Sequence, residues 1–425
     1  MVVVFLFKQI RQIELRAGIL PTVLMISMVW ILLCSALISV NYYRNLLFRK
    51  HQVQNQLMAN AASALEILKS DIDLPMDIAI SDDLYGYGQD SIFLRKWGLF
   101  DIGIVEAFRG HHYQRLAAMS GAYTDSVSQF TLYLTDENQP LLLAGNTHIK
   151  GKCALPVAGI RTVNIEGKGF SGQVPDGTHI LKSNKRLPIY PVLPALSTHF
   201  WEKKEASVFQ NPVVRPISEL PSLLNHSFFD PVRIFTSAES YELKGSLAGN
   251  ILLHSDRTIV ISASARLKNV IIAARKVIIR EGFRGQLQIF AQDTLIMEQD
   301  VFLRYPSTLC IQPIQAGLME IGPFSTIEGV LATNSKVDNT YLGEPKLFVH
   351  ENAQVWGQVY CNGLAEWRGK LSGSLMCRRF SLLTPSAFYE NHLLDADLNV
   401  DRRPVSFLTS PSLSSEKRNV LIWLK

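Results

Sequence analysis

The sequence predicts a mainly β protein: a parallel β-helix, or β-solenoid, ectodomain preceded by a transmembrane helix and a helical stalk. Three observations predict it. Residues 17–43 carry no charge, and a helix needs about 20 apolar residues to cross a bilayer. Residues 44–71 continue with Leu46, Val53, Leu57, Ala61, Ala64 and Leu68 at three-, four- and seven-residue intervals, which is amphipathic helical spacing. Beyond residue 240, short runs of strand formers recur at a fixed period, as stacked rungs require.

Composition narrows the classes. The chain has 425 residues, 47% of them hydrophobic and 19% charged, and so apolar a chain is not disordered. Its net charge is +5, from 42 basic and 37 acidic groups. That is too balanced for nucleic acid to be the main partner. Five cysteines at this length exclude a dense disulfide scaffold.

Residues 1–16 read as a short basic tail and 17–43 as the span. Pro21 falls in the first turns, where a missing N–H costs little. Tyr42 and Tyr43 close the span, where aromatic rings favour the membrane boundary. Lys8, Arg11 and Arg16 on one side nearly balance Arg44, Arg49 and Lys50 on the other. A short tail is easily retained, so the expected topology keeps the amino end in the cytoplasm of a bacterial cell and places everything after Tyr43 outside it. The amphipathic stretch 44–71 either packs on its own domain or forms a partner coil, which Asn55 and Asn60 would weaken. A basic lead, an apolar helix and an amphipathic extension together resemble the start of pilin-like and pseudopilin-like subunits. The processing motif of that family, Gly then Phe or Met with Glu soon after, is missing.

The period is clearest over 241–380. Ile259-Val260-Ile261, Val277-Ile278-Ile279 and Leu295-Ile296-Met297 start 18 residues apart, and Val270-Ile271-Ile272 leads Leu287-Gln288-Ile289 by 17. Val355 to Cys361 aligns with Leu371 to Cys377 at an offset of 16, with Gly357 against Gly373. Ile327-Glu328-Gly329 shares the apolar-x-Gly core, and Ile149-Lys150-Gly151 and Ile165-Glu166-Gly167 repeat its first half. Alternate side chains would point inward and glycine would serve the bends. The apolar-Gly-apolar rungs resemble bactofilins, polymer-forming bacterial β-helix proteins; that resemblance implies a cytoskeletal scaffold. An antiparallel β-sandwich is the other architecture such strands allow.

The remaining segments are assigned by contrast. Residues 72–186 read as a mixed capping layer, aromatic-rich over 81–123, followed by the first rungs. Residues 187–240, dense in proline, read as an insertion or crossover with a short candidate helix at 197–209. Residues 381–425 read as a closing cap.

Chemistry is sparse. Glu281 and Glu298 are one rung apart and could form a carboxylate pair of the glycosidase kind, but both adjoin turn residues. The paired Asp and Gly-His-Gly runs of pectin-degrading β-helix enzymes are missing from the rungs. Arg266-Leu267-Lys268 and Arg368-Gly369-Lys370 fit their Arg-x-Lys pattern, which is too short to carry weight. His111-His112 would diverge on a strand. Gly167-Lys168-Gly169-Phe170-Ser171-Gly172 lacks the helix that a nucleotide loop needs, since Pro175 follows. Trp356 and Trp367 are 11 apart, not one period, so no aromatic ladder for glycan is offered. Lys182, Lys185 and Arg186 form a modest basic cluster in a loop. Cys361 and Cys377 fall at matching rung positions, where rungs about 4.8 Å apart allow either a stack of buried thiols or a disulfide. Cys34 lies in the span; Cys153 and Cys310 have no evident partner.

The expected function is therefore structural: a non-enzymatic, single-pass scaffold protein of the inner membrane with a periplasmic solenoid, of the kind found in pilus-like or secretion-related assemblies. Its expected partners are the bilayer through 17–43 and other proteins or copies of itself. No cofactor, metal or nucleic acid is expected. The alternatives are an anchored carbohydrate-binding or polysaccharide-degrading protein, and a cytoplasm-facing bactofilin-like scaffold.

Overall fold

After Pro21 the run to Lys69 contains neither glycine nor proline, so nothing interrupts helix propagation. The computed structural model describes residues 19–69, 80–82, 89–188, 212–313, 316–334, 343–414 and 416–424. In it Ile19–Lys69 is one helix, α1, of 51 residues, or about 77 Å at 1.5 Å per residue.

The two parts of α1 live differently. Every side chain from Ile19 to Gln52 is exposed. From Val53 one stripe turns inward, and Leu57, Ala61, Ala64 and Leu65 are buried. The amphipathic stretch thus packs on its own domain. Asn60 is buried on the same stripe.

That stripe meets an antiparallel sheet. Its strands are β1 (Ile80–Asp82), β2 (Gln89–Trp97), β3 (Phe100–Arg109) and β4 (His112–Ala122). The fifth strand, Arg418–Leu424, pairs with β4 from the far end of the sequence. The hairpin turns Gly98-Leu99 and Gly110-His111 each begin with a glycine at positive φ, 63° and 60°, as a two-residue turn with glycine first requires. Strand alternation gives the sheet two apolar faces. Ile92, Leu94, Val105, Ala107 and Ala118 face α1. Trp97, Phe100, Ile102, Ala117 and Met119 face the other way, onto the solenoid.

Between β4 and Arg418–Leu424 the described residues form a parallel β-solenoid of about 11 turns. It is a domain inserted between two neighbouring strands of the sheet. The predicted registers hold: Ile259 pairs Val277 and Val277 pairs Leu295 at 18, Val270 pairs Leu287 at 17, and Cys361 pairs Cys377 at 16. In the triplets starting at Ile259, Val277 and Leu295 the outer two residues are buried and the middle one half-exposed, whereas those starting at Val270 and Leu287 are buried throughout. Gly329, Gly357 and Gly373 stack in one column. A Cβ at Gly329 would lie 1.9 Å from the Ser307 carbonyl oxygen, so this column admits no side chain.

The order of the rungs differs from the expected one. The stack climbs from Val213–Pro216 to the long strand Lys370–Leu383. The earlier segment then sits on top: Leu132 pairs Leu375, Leu142 pairs His392, and His148 pairs Asp397. The chain thus enters near the end of the stack, reaches the opposite end, and climbs back onto its own first rungs.

Several boundaries move accordingly. Rungs begin at Val213, inside the stretch 187–240 read as an insertion, because its later prolines fall at strand ends and corners. They also run past residue 380, through His392–Leu394 and Asp397–Asn399. The layer over 81–123 lies along one flank of the solenoid rather than across its end. The final apolar run, read as a cap, is the fifth strand of that layer. Ile149 and Ile165 are not rung mates; His148 bridges to Gln173, and Ile165 packs with Ala144 and Leu382. The candidate helix at 197–209 lies outside the described residues.

Polar contacts fasten the sheet to the solenoid and brace the sheet itself. Gln288, the polar residue within Leu287-Gln288-Ile289, donates from Nε2 to the Trp97 carbonyl at 2.8 Å and accepts the Leu99 amide at 2.9 Å. Buried Asp101 holds Lys96 Nζ at 2.6 Å and Arg418 Nε at 3.2 Å, tying the last strand to the hairpin.

Candidate functional site

The first candidate is α1 itself. Among the described residues it is the one helix long and apolar enough to cross a membrane, with a mean hydropathy of 2.6 in its most apolar window and none of that window buried. Leu24, Met28, Trp30, Ile31 and Leu37 all lie open. A patch this large, uncovered by the protein, requires an apolar surrounding.

The structure brings Cys361 and Cys377 together on adjacent rungs, as the 16-residue offset implied. Both thiols are free and fully buried. Cys361 Sγ donates to the Leu364 carbonyl at 3.6 Å. Burial pushes the Cys361 thiol up to about 12 and that of Cys377 well above its usual range. Cys153 and Cys310 are also buried and shifted up to about 12 by desolvation. Cys310 belongs to the layer between sheet and solenoid, and Cys153 to the solenoid interior. None of these is a ready nucleophile, since attack needs the thiolate.

Of the two carboxylates, that of Glu298 is engaged, and Glu281 meets it through its backbone amide. Glu298 Oε1 binds Arg280 at 2.6 Å, and its Oε2 accepts the Glu281 amide at 3.0 Å. Arg275 with Asp293 and Arg284 with Asp300 form further ion pairs between adjacent rungs.

The other motifs resolve as turns. His111 and His112 lie exposed at the tip of the β3–β4 hairpin. Among the described residues no group of three or more His, Cys, Asp or Glu could hold a metal. The run Gly167 to Gly172 is a rung corner, where Lys168 Nζ binds Asp395 at 2.7 Å and only a single 3-10 turn, Gly177–His179, follows. Lys182, Lys185 and Arg186 are exposed.

Sequence reasoning missed two features. One is a charged junction that locks the first rungs onto the last: Arg378 and Arg379 both reach Glu137 and Glu344, at 2.7–3.4 Å. Its only signal was the Arg-Arg doublet, because Glu137 is brought there by the return of the chain. The other is a polar groove of about 520 Å³ lined by His148, Lys150, Arg368, Lys370 and Asp397, which mixes the two rung blocks.

Fold and helix together define a class: a β-solenoid set into an antiparallel sheet and carried on one long apolar helix. No family model matches the chain, and no curated protein matches it. Among solved structures it is similar to the competence-associated pilin ComZ from Thermus thermophilus. The identity is 12% over 83% of this chain and 87% of that one, with a TM-score of 0.24. A score that low marks a weak likeness.

Proposed function

We propose that this chain is a non-enzymatic, membrane-anchored structural protein of the bacterial cell envelope. In this reading α1 crosses the inner membrane once, and the solenoid stands on the periplasmic side as part of a pilus-like or secretion-related assembly. The observation that carries it is the continuity of α1. One uninterrupted helix is uncharged and open from Ile19 to Tyr43 and packed on the sheet from Val53 onward. Residues 44–52, helical and exposed, lift the packed part about 14 Å beyond the last uncharged turn. No flexible hinge lies between, so the solenoid is held at a set height and orientation, as a scaffold needs. The engaged Glu298 carboxylate and the buried thiols support a non-catalytic role.

The test exploits those thiols. Cys153, Cys310, Cys361 and Cys377 are buried and Cys34 faces the apolar surrounding of α1, so the native background towards an impermeant maleimide is low. Thr178→Cys adds one exposed thiol. The expected result is a protein retained in membranes after alkaline carbonate washing and labelled once the outer barrier alone is opened. Release by carbonate would overturn the anchor. Labelling only after the inner membrane is broken would overturn the periplasmic placement.

A further inference from the structure

A groove on the outside of the lower rungs is used by nothing described above. It measures about 680 Å³ and is lined by Arg266, Lys268, Arg284 and Arg304, with the small residues Ser246 and Gly282 between them. Register fixes the spacing: Ser246 pairs Arg266, Lys268 pairs Gln286, and Arg284 pairs Phe302. Rungs stack about 4.8 Å apart, and side chains two residues apart on one strand point the same way, about 6.6 Å apart. The four cations therefore form a compact array over three levels.

Cations this close are ordinarily matched by acids, and one edge away they are. Arg275 and Arg280 each hold a carboxylate at 2.6 Å. Within the groove only Arg284 has one, Asp300 at 3.4 Å. Arg266 Nη1 donates to the carbonyls of Ala263 and Ala265 in its own turn. Among the described residues, Lys268 and Arg304 have no carboxylate within ion-pair distance. Glu328, the acid on the next level, accepts the Tyr305 amide at 3.2 Å.

We propose that this groove binds a linear phosphodiester polymer of the base-free, polyol-phosphate kind, holding it by its phosphates alone. Guanidinium forks match phosphate oxygens in pairs, and a repeated anion suits a repeated rung. Bases would need aromatic platforms. No aromatic residue lines the groove, and the guanidinium of Arg284 lies over the ring of Phe302, 6.0 Å from its centre. That such a polymer meets this face rests on the envelope placement proposed above; binding in detergent does not depend on it.

The full chain in neutral detergent would be titrated with poly(glycerol phosphate) and with oligothymidylate of equal phosphate number, at rising salt. Four neutralised phosphates give a slope of about −2.8 in log affinity against log salt, so a fourfold rise in salt weakens binding roughly 50-fold. The variant R266Q/K268Q/R304Q should flatten this to about 2.6-fold, and Lys268→Gln alone should remove about 0.7 of slope. Lys182→Gln, exposed at the other end of the stack, should leave the slope unchanged. The expected result is binding of both polymers within a few-fold. The proposal is overturned by no binding at low salt, by a slope indifferent to the groove variants, or by binding that oligothymidylate alone shows.

Discussion

Replacing Gln288 by leucine tests how the sheet is fastened to the solenoid. The residue sits in the middle of Leu287-Gln288-Ile289 and faces out of the solenoid, where its stack neighbours are Ile271 and Thr308 in an otherwise apolar layer. Leucine keeps the size and removes both amide ends. The Trp97 carbonyl and Leu99 amide then lose their partners at 2.8 and 2.9 Å, in a layer from which Trp97, Leu99 and Phe100 are shut off from water. Each stranded group costs about 1–3 kcal/mol, offset by added apolar contact, so a net loss of about 3 kcal/mol is expected. The loss is local: it frees the hairpin tip without touching the rungs. Hydrogen exchange reads it directly, because about 3 kcal/mol is roughly a hundredfold in the opening equilibrium. The Leu99 amide should exchange faster by that factor, while the rung amides of Val277 and Leu295 stay as they were. Unchanged protection at Leu99, or equal loss throughout the solenoid, would refute the account of Gln288 as a latch.

Three further outcomes are expected. Gly329→Ala should abolish or severely reduce soluble folded protein, since its φ of 149° and the Ser307 carbonyl at 1.9 Å both forbid a Cβ; Gly177→Ala, which meets nothing within 4 Å, should be neutral in the same thermal-melt comparison. Asp101→Asn should cost about 2 kcal/mol, less than a fully buried pair because Lys96 and Arg418 are partly solvated, and should make Arg418–Leu424 the first segment cut in limited proteolysis. Alkaline stability follows from the thiols of Cys153, Cys310 and Cys361, raised from 9.0 to about 12. Below pH 9 folded and unfolded chains both keep these protons. Between pH 9 and 12 only the unfolded chain loses them, so stability falls by about 1.4 kcal/mol per pH unit per thiol. Alanine at the three positions should flatten that fall in denaturant titrations at stepped pH, and an unaltered slope would contradict the shifts.

What the sequence could show was whatever is local or strictly periodic. The rung pairs at 16, 17 and 18 were legible because stacking makes the same inward position recur, as at Ile259, Val277 and Leu295. The stripe of Leu57, Ala61 and Ala64 was legible because a helix repeats every 3.6 residues. Rung order was not, since nothing in Leu132 or Tyr133 announces that Leu375 and Met376 will be their neighbours. The short rungs after Val213 escaped because proline masks a strand when it falls at the ends of one. The basic groove escaped for a related reason. Arg266 and Lys268 stand out as a pair, but Arg284 and Arg304 join them only after the chain has made further circuits.

The unexpected rung order answers a topological demand set by the sheet. β4 ends at Ala122 and its neighbour begins at Arg418, and the two strands pair directly there. Whatever lies between must leave and return at nearly the same place. A solenoid wound from one end to the other would put its exit about 50 Å from its entrance, at 4.8 Å per level over about 11 turns. Stacking the first rungs on the last brings residues 131 and 399 to adjoining levels instead: the Thr131 hydroxyl donates to the Lys150 carbonyl and accepts the Val400 amide. The junction of Arg378 and Arg379 with Glu137 and Glu344 then seals the place where the two passes meet. Breaking it at Arg379 should loosen the first rungs before any others. The cost of carrying so long an insertion is therefore concentrated in one crossover, and the helix and sheet are left undisturbed by the length of the solenoid.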